Sequence, residues 1–153
     1  MNDQLCADNR EMLFVTVWLG IVNTKNGEVS YCNAGHEYPV FLHDGKSSLI
    51  KEGKKNDPPL ALAAGFGFTD RNMKLQKGDG LFLYTDGVPE AKNAENERYG
   101  MERMLRILEE CEKNASCQNV IESMGNDMDS FVDEKDPFDD VTMLMIRLNG
   151  MEA

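Results

Sequence analysis

The sequence has no run of eighteen or more apolar residues, which excludes a helix long enough to cross a bilayer. Its first twelve residues, MNDQLCADNREM, have neither a basic start nor an apolar stretch, so they do not read as a signal peptide. There are only two histidines and four cysteines, Cys6, Cys32, Cys111 and Cys117, and no CxxC pair. That spacing offers no zinc site. Scattered cysteines without a signal peptide are expected to be reduced thiols in the cytoplasm. Positive charge is also scarce: 16 basic residues stand against 27 acidic ones, for a net charge of −11. A phosphate backbone needs a basic face, so nucleic acid is not the expected partner. The acidic excess has two readings, plain solubility or a cation site built from clustered carboxylates.

What is present fits one globular domain. The 153 residues, 41% hydrophobic and 28% charged, are enough to hold a core, and residues 1–153 read as a single domain. Residues 1–11 are polar and read as the tail of a helix or a frayed start. Residues 12–22, MLFVTVWLGIV, are β-branched and aromatic and too continuous for a solvated strand, so they predict a buried one. Asn26-Gly27 signals a hairpin, with VSYCNAG as the partner strand. YPVFLH, Asp44-Gly45 and KSSLIKEG predict a second hairpin. Residues 54–67 read as a loop, FTDRNMKLQ as an outer strand, and Asp79-Gly80 as a turn before the strand LFLYTDG.

Beyond Pro89 the period changes. Met101, Met104, Leu105 and Leu108 recur at helical spacing. A second helix is expected after Ser116, a good N-cap, with Val120, Ile121, Met124, Met128 and Phe131 as its apolar stripe. Gly125 sits in the middle of it, where glycine weakens a helix. Pro137 lies in a loop and VTMLMIRL reads as a last buried strand. Strands, two helices and a strand make an α+β domain.

Two acidic corners stand out. Asp86 lies at the exit of one buried strand, and Asp139-Asp140 at the entry of another. If those strands are antiparallel neighbours, the carboxylates converge, and carboxylate oxygen suits hard cations. Two rival motifs fail. Residues 127–138 begin like a calcium loop, but Val132 stands where that loop needs glycine and the closing glutamate is absent. The YTDG stretch lacks an aspartate nucleophile, because Tyr84 holds the position two before Asp86.

The blocks NAGH, KGD…LYTDGV.EA and DDVT occur in order between residues 33 and 142. Together they resemble the metal-dependent bacterial phosphatases related to protein phosphatase 2C, in the branch of sporulation stage II protein E and the sigma-factor-regulating stress phosphatases. The resemblance implies two packed antiparallel β-sheets flanked by helices. It also implies hydrolysis of phosphoserine or phosphothreonine, with two Mn²⁺ or Mg²⁺ ions activating water for in-line attack. By matching position, Asp86 and Asp139 would be the catalytic metal ligands. Gly87 would let the backbone pass close to the site, and Asp140, Thr85, Glu90 and Thr142 would orient the ligands or hold the turns. Two roles are open for His36: general acid for the leaving alkoxide, or, more commonly for such a histidine, holding a loop by hydrogen bonds. The substrate would be a phosphorylated regulatory protein, an anti-sigma antagonist.

The pattern departs from the family in one respect. Two earlier acidic motifs, a strand with a Gly-Asp pair and an Asp-Val-x-Gly-x-Gly turn, do not occur. The sequence therefore reads as a phosphatase domain whose N-terminal part is missing, a catalytic domain incomplete and inactive by itself. The competing reading is a degenerate, non-catalytic module that binds a protein partner. Removal of part of each sheet is expected to leave open edges through which the chain forms a homo-oligomer.

Overall fold

Turn chemistry and apolar period divide the chain much as the sequence suggests. A computed structural model describes residues 1–51, 57–111, 115–132 and 140–150. Its elements begin with α1 (Asn2–Ala7), β1 (Val17–Val22), β2 (Glu28–Ala34), β3 (Val40–His43) and β4 (Lys46–Leu49). There follow β5 (Arg71–Lys74), β6 (Gly80–Tyr84), α2 (Gly87–Glu90), α3 (Met101–Glu110), α4 (Cys117–Phe131) and β7 (Met143–Arg147). Two antiparallel sheets with helices are formed, in two compact units: Met1–Tyr38 with Lys51–Leu75, and Pro39–Ile50 with Gln76–Gly150. No helix among the described residues is long and apolar enough to cross a membrane.

In the first unit the strand order is β1-β2-β5. The β1–β2 loop closes where Gly27, at φ 75°, donates its N–H to the Asn23 carbonyl at 2.8 Å, a conformation that costs glycine little. On one face of β2, Val29, Tyr31 and Asn33 are buried, and Trp18 stacks on Tyr31 at 5.5 Å. The buried strand expected over residues 12–22 needs correction. The strand starts at Val17, and Met12, Leu13, Phe14 and Val15 precede it exposed. Leu19 and Ile21 are 61% and 71% exposed. The reason is positional: β1 is an edge strand, and the face carrying its alternate residues Leu19 and Ile21 is not covered. A continuous apolar run cannot reveal that by period alone.

Residues 57–67 carry no strand or helix; they are tied down at Asp57, which is buried. Its carboxylate accepts from Thr69 N at 2.8 Å, Thr69 Oγ1 at 3.1 Å and Arg71 Nη1 at 3.0 Å. Burial pushes the Asp57 carboxyl up, and these bonds outweigh it and hold it below the usual carboxylate range.

The second unit is a four-stranded sheet, β4-β3-β6-β7, with α3 and α4 packed on it. Asp44 and Gly45, at φ 51° and 74°, make the two-residue β3–β4 hairpin, the twist that suits flanking strands. Ser116 caps α4 as expected, its Oγ accepting from Asn119 N at 3.1 Å. The helical stripes meet the sheet: Met104, Leu108, Val120, Met124 and Met128 are buried with Val40, Phe82, Tyr84 and Met145 in one core. Each such side chain contributes about 1.5–3 kcal/mol on full burial. In β7, read as buried, Leu144 is 52% exposed, so that strand is covered on one face only.

Candidate active site

The two acidic corners lie in the second unit, and strand pairing relates them. β6 and β7 are antiparallel, with Tyr84 opposite Met143, so the exit of one and the entry of the other share a sheet edge. Thr85 ties the two chain segments together beyond the last strand pair. Its N–H donates to the Thr142 carbonyl at 3.1 Å. Its hydroxyl donates to the Asp140 carbonyl at 3.1 Å and accepts from Thr142 N at 3.0 Å.

At the next residue the chain turns, and the turn is one of helix. Asp86 is the N-cap of α2 and its backbone is right-handed, φ −56°. Val88 N donates to Thr85 O at 3.0 Å and Glu90 N to Asp86 O at 3.0 Å, closing that turn. The Asp86 carboxylate is exposed and makes no capping bond to the helix. Gly87 is buried, and a Cβ there would stand 2.6 Å from the Asp140 carbonyl oxygen. Glycine is therefore required by close approach of the 140 segment, not by its φ.

Of the residues singled out in the sequence, Thr85, Asp86, Gly87, Glu90, Asp140 and Thr142 belong to this corner. Asp139 lies outside the described residues. His36 belongs to the first unit. Its N–H donates to the buried Asn33 Oδ1 at 2.8 Å, and its Nδ1 lies 3.2 Å from Thr16 Oγ1, contacts that hold the turn at Gly35. Asp79, read as a simple turn residue, is buried. Its Oδ2 accepts from Gln76 N at 2.7 Å, and its Oδ1 is 2.8 Å from His43 Nδ1.

Sequence reasoning missed Arg98. Its Nη1 donates to Glu90 Oε1 at 3.0 Å, joining a turn-forming segment to the helix that follows Asp86. Residues eight apart across an irregular loop leave no periodic signal; the nearest clue is the Asn-rich turn NAEN. A cavity of about 360 Å³ in the first unit is lined mainly by apolar side chains, among them Val17, Leu19, Leu60, Phe66 and Phe68, and contributes nothing to this corner.

In kind, the residues here fit a hard divalent cation: Asp86 and Asp140 bring carboxylate oxygen at one sheet edge. In number they fall short, since among the described residues no group of three or more His, Cys, Asp or Glu is placed to hold a metal ion.

Several known proteins are similar to the chain in sequence or in fold. The sequence model of the family described as stage II sporulation protein E matches residues 1–149. Protein IcfG of Synechocystis sp. is 30% identical over 150 residues, 97% of this chain and 23% of that protein. The phosphoserine phosphatase RsbU of Bacillus subtilis is 26% identical over 137 residues, 88% of this chain and 39% of that protein. The chain thus spans less than half the length of these two relatives. Among solved structures, the SiaA-PP2C domain of Pseudomonas aeruginosa superposes with a TM-score of 0.75 at 18% identity, over 95% of this chain and 56% of that one. The PP2C phosphatase domain of the Bacillus subtilis cell-fate determinant SpoIIE, with a fragment of its regulatory domain, gives 0.70 at 15% identity, over 86% and 37%.

Proposed function

The chain belongs to the stage II sporulation protein E family and has the fold of PP2C phosphatase domains; from that premise we propose that it is the metal-binding half of a protein-serine/threonine phosphatase site. Asp86 and Asp139 are the proposed ligands of Mn²⁺ or Mg²⁺. When bound, such ions supply a nucleophile near neutral pH and neutralise charge on phosphoryl oxygens. The observation that carries the reading is the shared edge of β6 and β7, which brings the Asp86 turn against the segment at Asp140. Thr85 and Thr142 lock the two segments, Gly87 lets them touch, and Asp140 and Glu90 support the ligands. His36, with its hydrogen bonds to Asn33 and Thr16, is assigned the loop-holding role.

The proposed substrate is a phosphoserine or phosphothreonine of a regulatory protein, an anti-sigma antagonist in the cytoplasm, where the four free thiols stay reduced. Because the Gly-Asp strand and the Asp-Val-x-Gly-x-Gly turn are absent from the 153 residues, the chain by itself is expected to bind Mn²⁺ weakly and to hydrolyse little or nothing. That absence also favours the second reading, a non-catalytic partner-binding module.

Phosphate release from a phosphoserine protein decides between them, measured on this chain and on a longer form made by joining a segment with both acidic motifs to its N-terminus. Expected is Mn²⁺-dependent activity in the longer form that Asp86→Asn and Asp139→Asn each lower by at least about 100-fold, beyond the usual loss for a residue that only supports a ligand. Activity surviving both substitutions in folded protein would sink the metal assignment. No activity in any form would leave the binding module standing.

A further inference from the structure

The segment that follows α2 folds back on it. Asn93 makes a tight turn: its Oδ1 accepts from Glu97 N at 2.8 Å, its carbonyl from Asn96 N at 2.9 Å, and its N–H donates to Glu97 O at 3.1 Å. Asn96 takes φ 63° there, a conformation asparagine tolerates better than most residues. The return arm bridges Arg98 to Lys92 and then meets the end of α2 twice, through Tyr99 N to Ala91 O at 2.7 Å and Gly100 N to Pro89 O at 2.9 Å. Arg98 adds the ion pair to Glu90, whose own N–H bonds the Asp86 carbonyl.

The far end of the arm is anchored in the helical layer. The Tyr99 hydroxyl donates to Asp127 Oδ2 at 2.7 Å, and its ring meets Phe131 edge-on at 5.4 Å. The Arg103 guanidinium lies over both rings, 5.2 and 4.7 Å from their centroids, and grips both Asp127 oxygens at 2.8 and 3.0 Å. The arm is thus fastened at Tyr99 and touches the end of α2 through two backbone bonds and one side-chain pair.

We propose that residues 92–100 form a latch that sets the position of the Asp86 carboxylate, and that Arg98 is its positioning residue, acting through Glu90. The inference rests on the reading of Asp86 as a metal ligand. The pair is solvent-accessible, with side chains 40% and 61% exposed. Its loss should therefore loosen the turn without unfolding the protein.

The test is Mn²⁺ affinity, read from the free-ion electron paramagnetic resonance signal, with circular dichroism as the folding control. Arg98→Glu is expected to weaken Mn²⁺ binding by about two- to fivefold, the range of an exposed ion pair, and Arg98→Gln by less. Arg98→Lys, which keeps the positive charge toward Glu90, should stay closer to the parent affinity than Arg98→Gln. An unchanged affinity in Arg98→Glu, while Asp86→Asn abolishes binding, would overturn the latch and leave the metal assignment intact. A loss in Arg98→Lys as large as in Arg98→Glu would also overturn it, since the charge on residue 98 would then not be what acts through Glu90. A parent chain that binds no Mn²⁺, or binds it as well after Asp86→Asn, would overturn the reading of Asp86 and the latch with it.

Discussion

In the unit that carries Asp86, Phe82, Met104, Val120 and Met124 are all fully buried between a sheet and two helices. In the other unit, Leu19 and Ile21 are just as apolar and stand mostly in solvent, beside the exposed run Met12 to Val15. The residue types barely differ; the covering elements do. Helices α3 and α4 give the second unit a layered core, while among the described residues no layer lies over the face of β1 that holds Leu19 and Ile21. The lesson is that an apolar strand does not announce its own burial. The corner proposed to do chemistry lies at the rim of that core: Asp86 and Asp140 are exposed, and only Gly87 and Val88 beneath them are buried.

That contrast can be pressed by substitution. Phe82→Ala should cost about 3–5 kcal/mol, because it empties a closed site. A loss under about 1 kcal/mol in chemical denaturation would mean that the core there collapses freely. Gly87→Ala follows, at about 1–3 kcal/mol, since its Cβ would drive into the Asp140 carbonyl and one of the two segments must move. If stability were unchanged, the close approach of residues 87 and 140 would not exist in solution.

Acid sharpens the comparison, because each unit holds an aspartate paired with an arginine. The Arg103 guanidinium holds the Asp127 carboxyl below its usual range against the opposing effect of burial, and Tyr99 lowers it further. Asp57 is depressed in the first unit by its Thr69 and Arg71 bonds. A depressed carboxylate contributes stability that is complete above its unfolded value, about pH 4, and disappears as pH falls through the lower folded value. Asp127→Asn should thus cost about 1–3 kcal/mol at pH 7 by leaving Arg103 poorly matched, and the difference from the parent should shrink as pH falls below about 4 and through the lower folded value. A deficit that persists undiminished in acid would show that the charge is not the cause. The smallest effect belongs to the exposed strand: Leu19→Ala should change stability by no more than about 0.5 kcal/mol. Open sheet edges are the expected route to a homo-oligomer, and β1 is one such edge; Leu19→Lys with Ile21→Lys should then shift light scattering toward monomer, and a monomeric parent would count against that.

Much of the fold was legible because its signals are local. The 3.6-residue stripe from Val120 to Phe131, the Ser116 cap and the Asp44-Gly45 hairpin each depend on a few neighbouring residues, and each appears where expected. The candidate site was legible in part. Asp86 at the end of β6 could be found from the strand before it, and its antiparallel neighbour from the DDVT block. The helical turn at Gly87, the Arg98–Glu90 pair and the burial of Asp79 against His43 could not, since none leaves a period or a spacing.

By itself, then, the sequence determined the order of strands and helices, the family and the identity of the acids at two strand ends, because backbone preferences and apolar period act over a handful of residues. Tertiary structure alone decided which face of β1 stays in water and that β6 and β7 lie side by side. It also decided that residue 87 must be glycine because a carbonyl from residue 140 rests against it. These depend on segments far apart in the chain meeting at atomic distance, and such meetings are set by the packing of the whole unit rather than by any stretch of sequence.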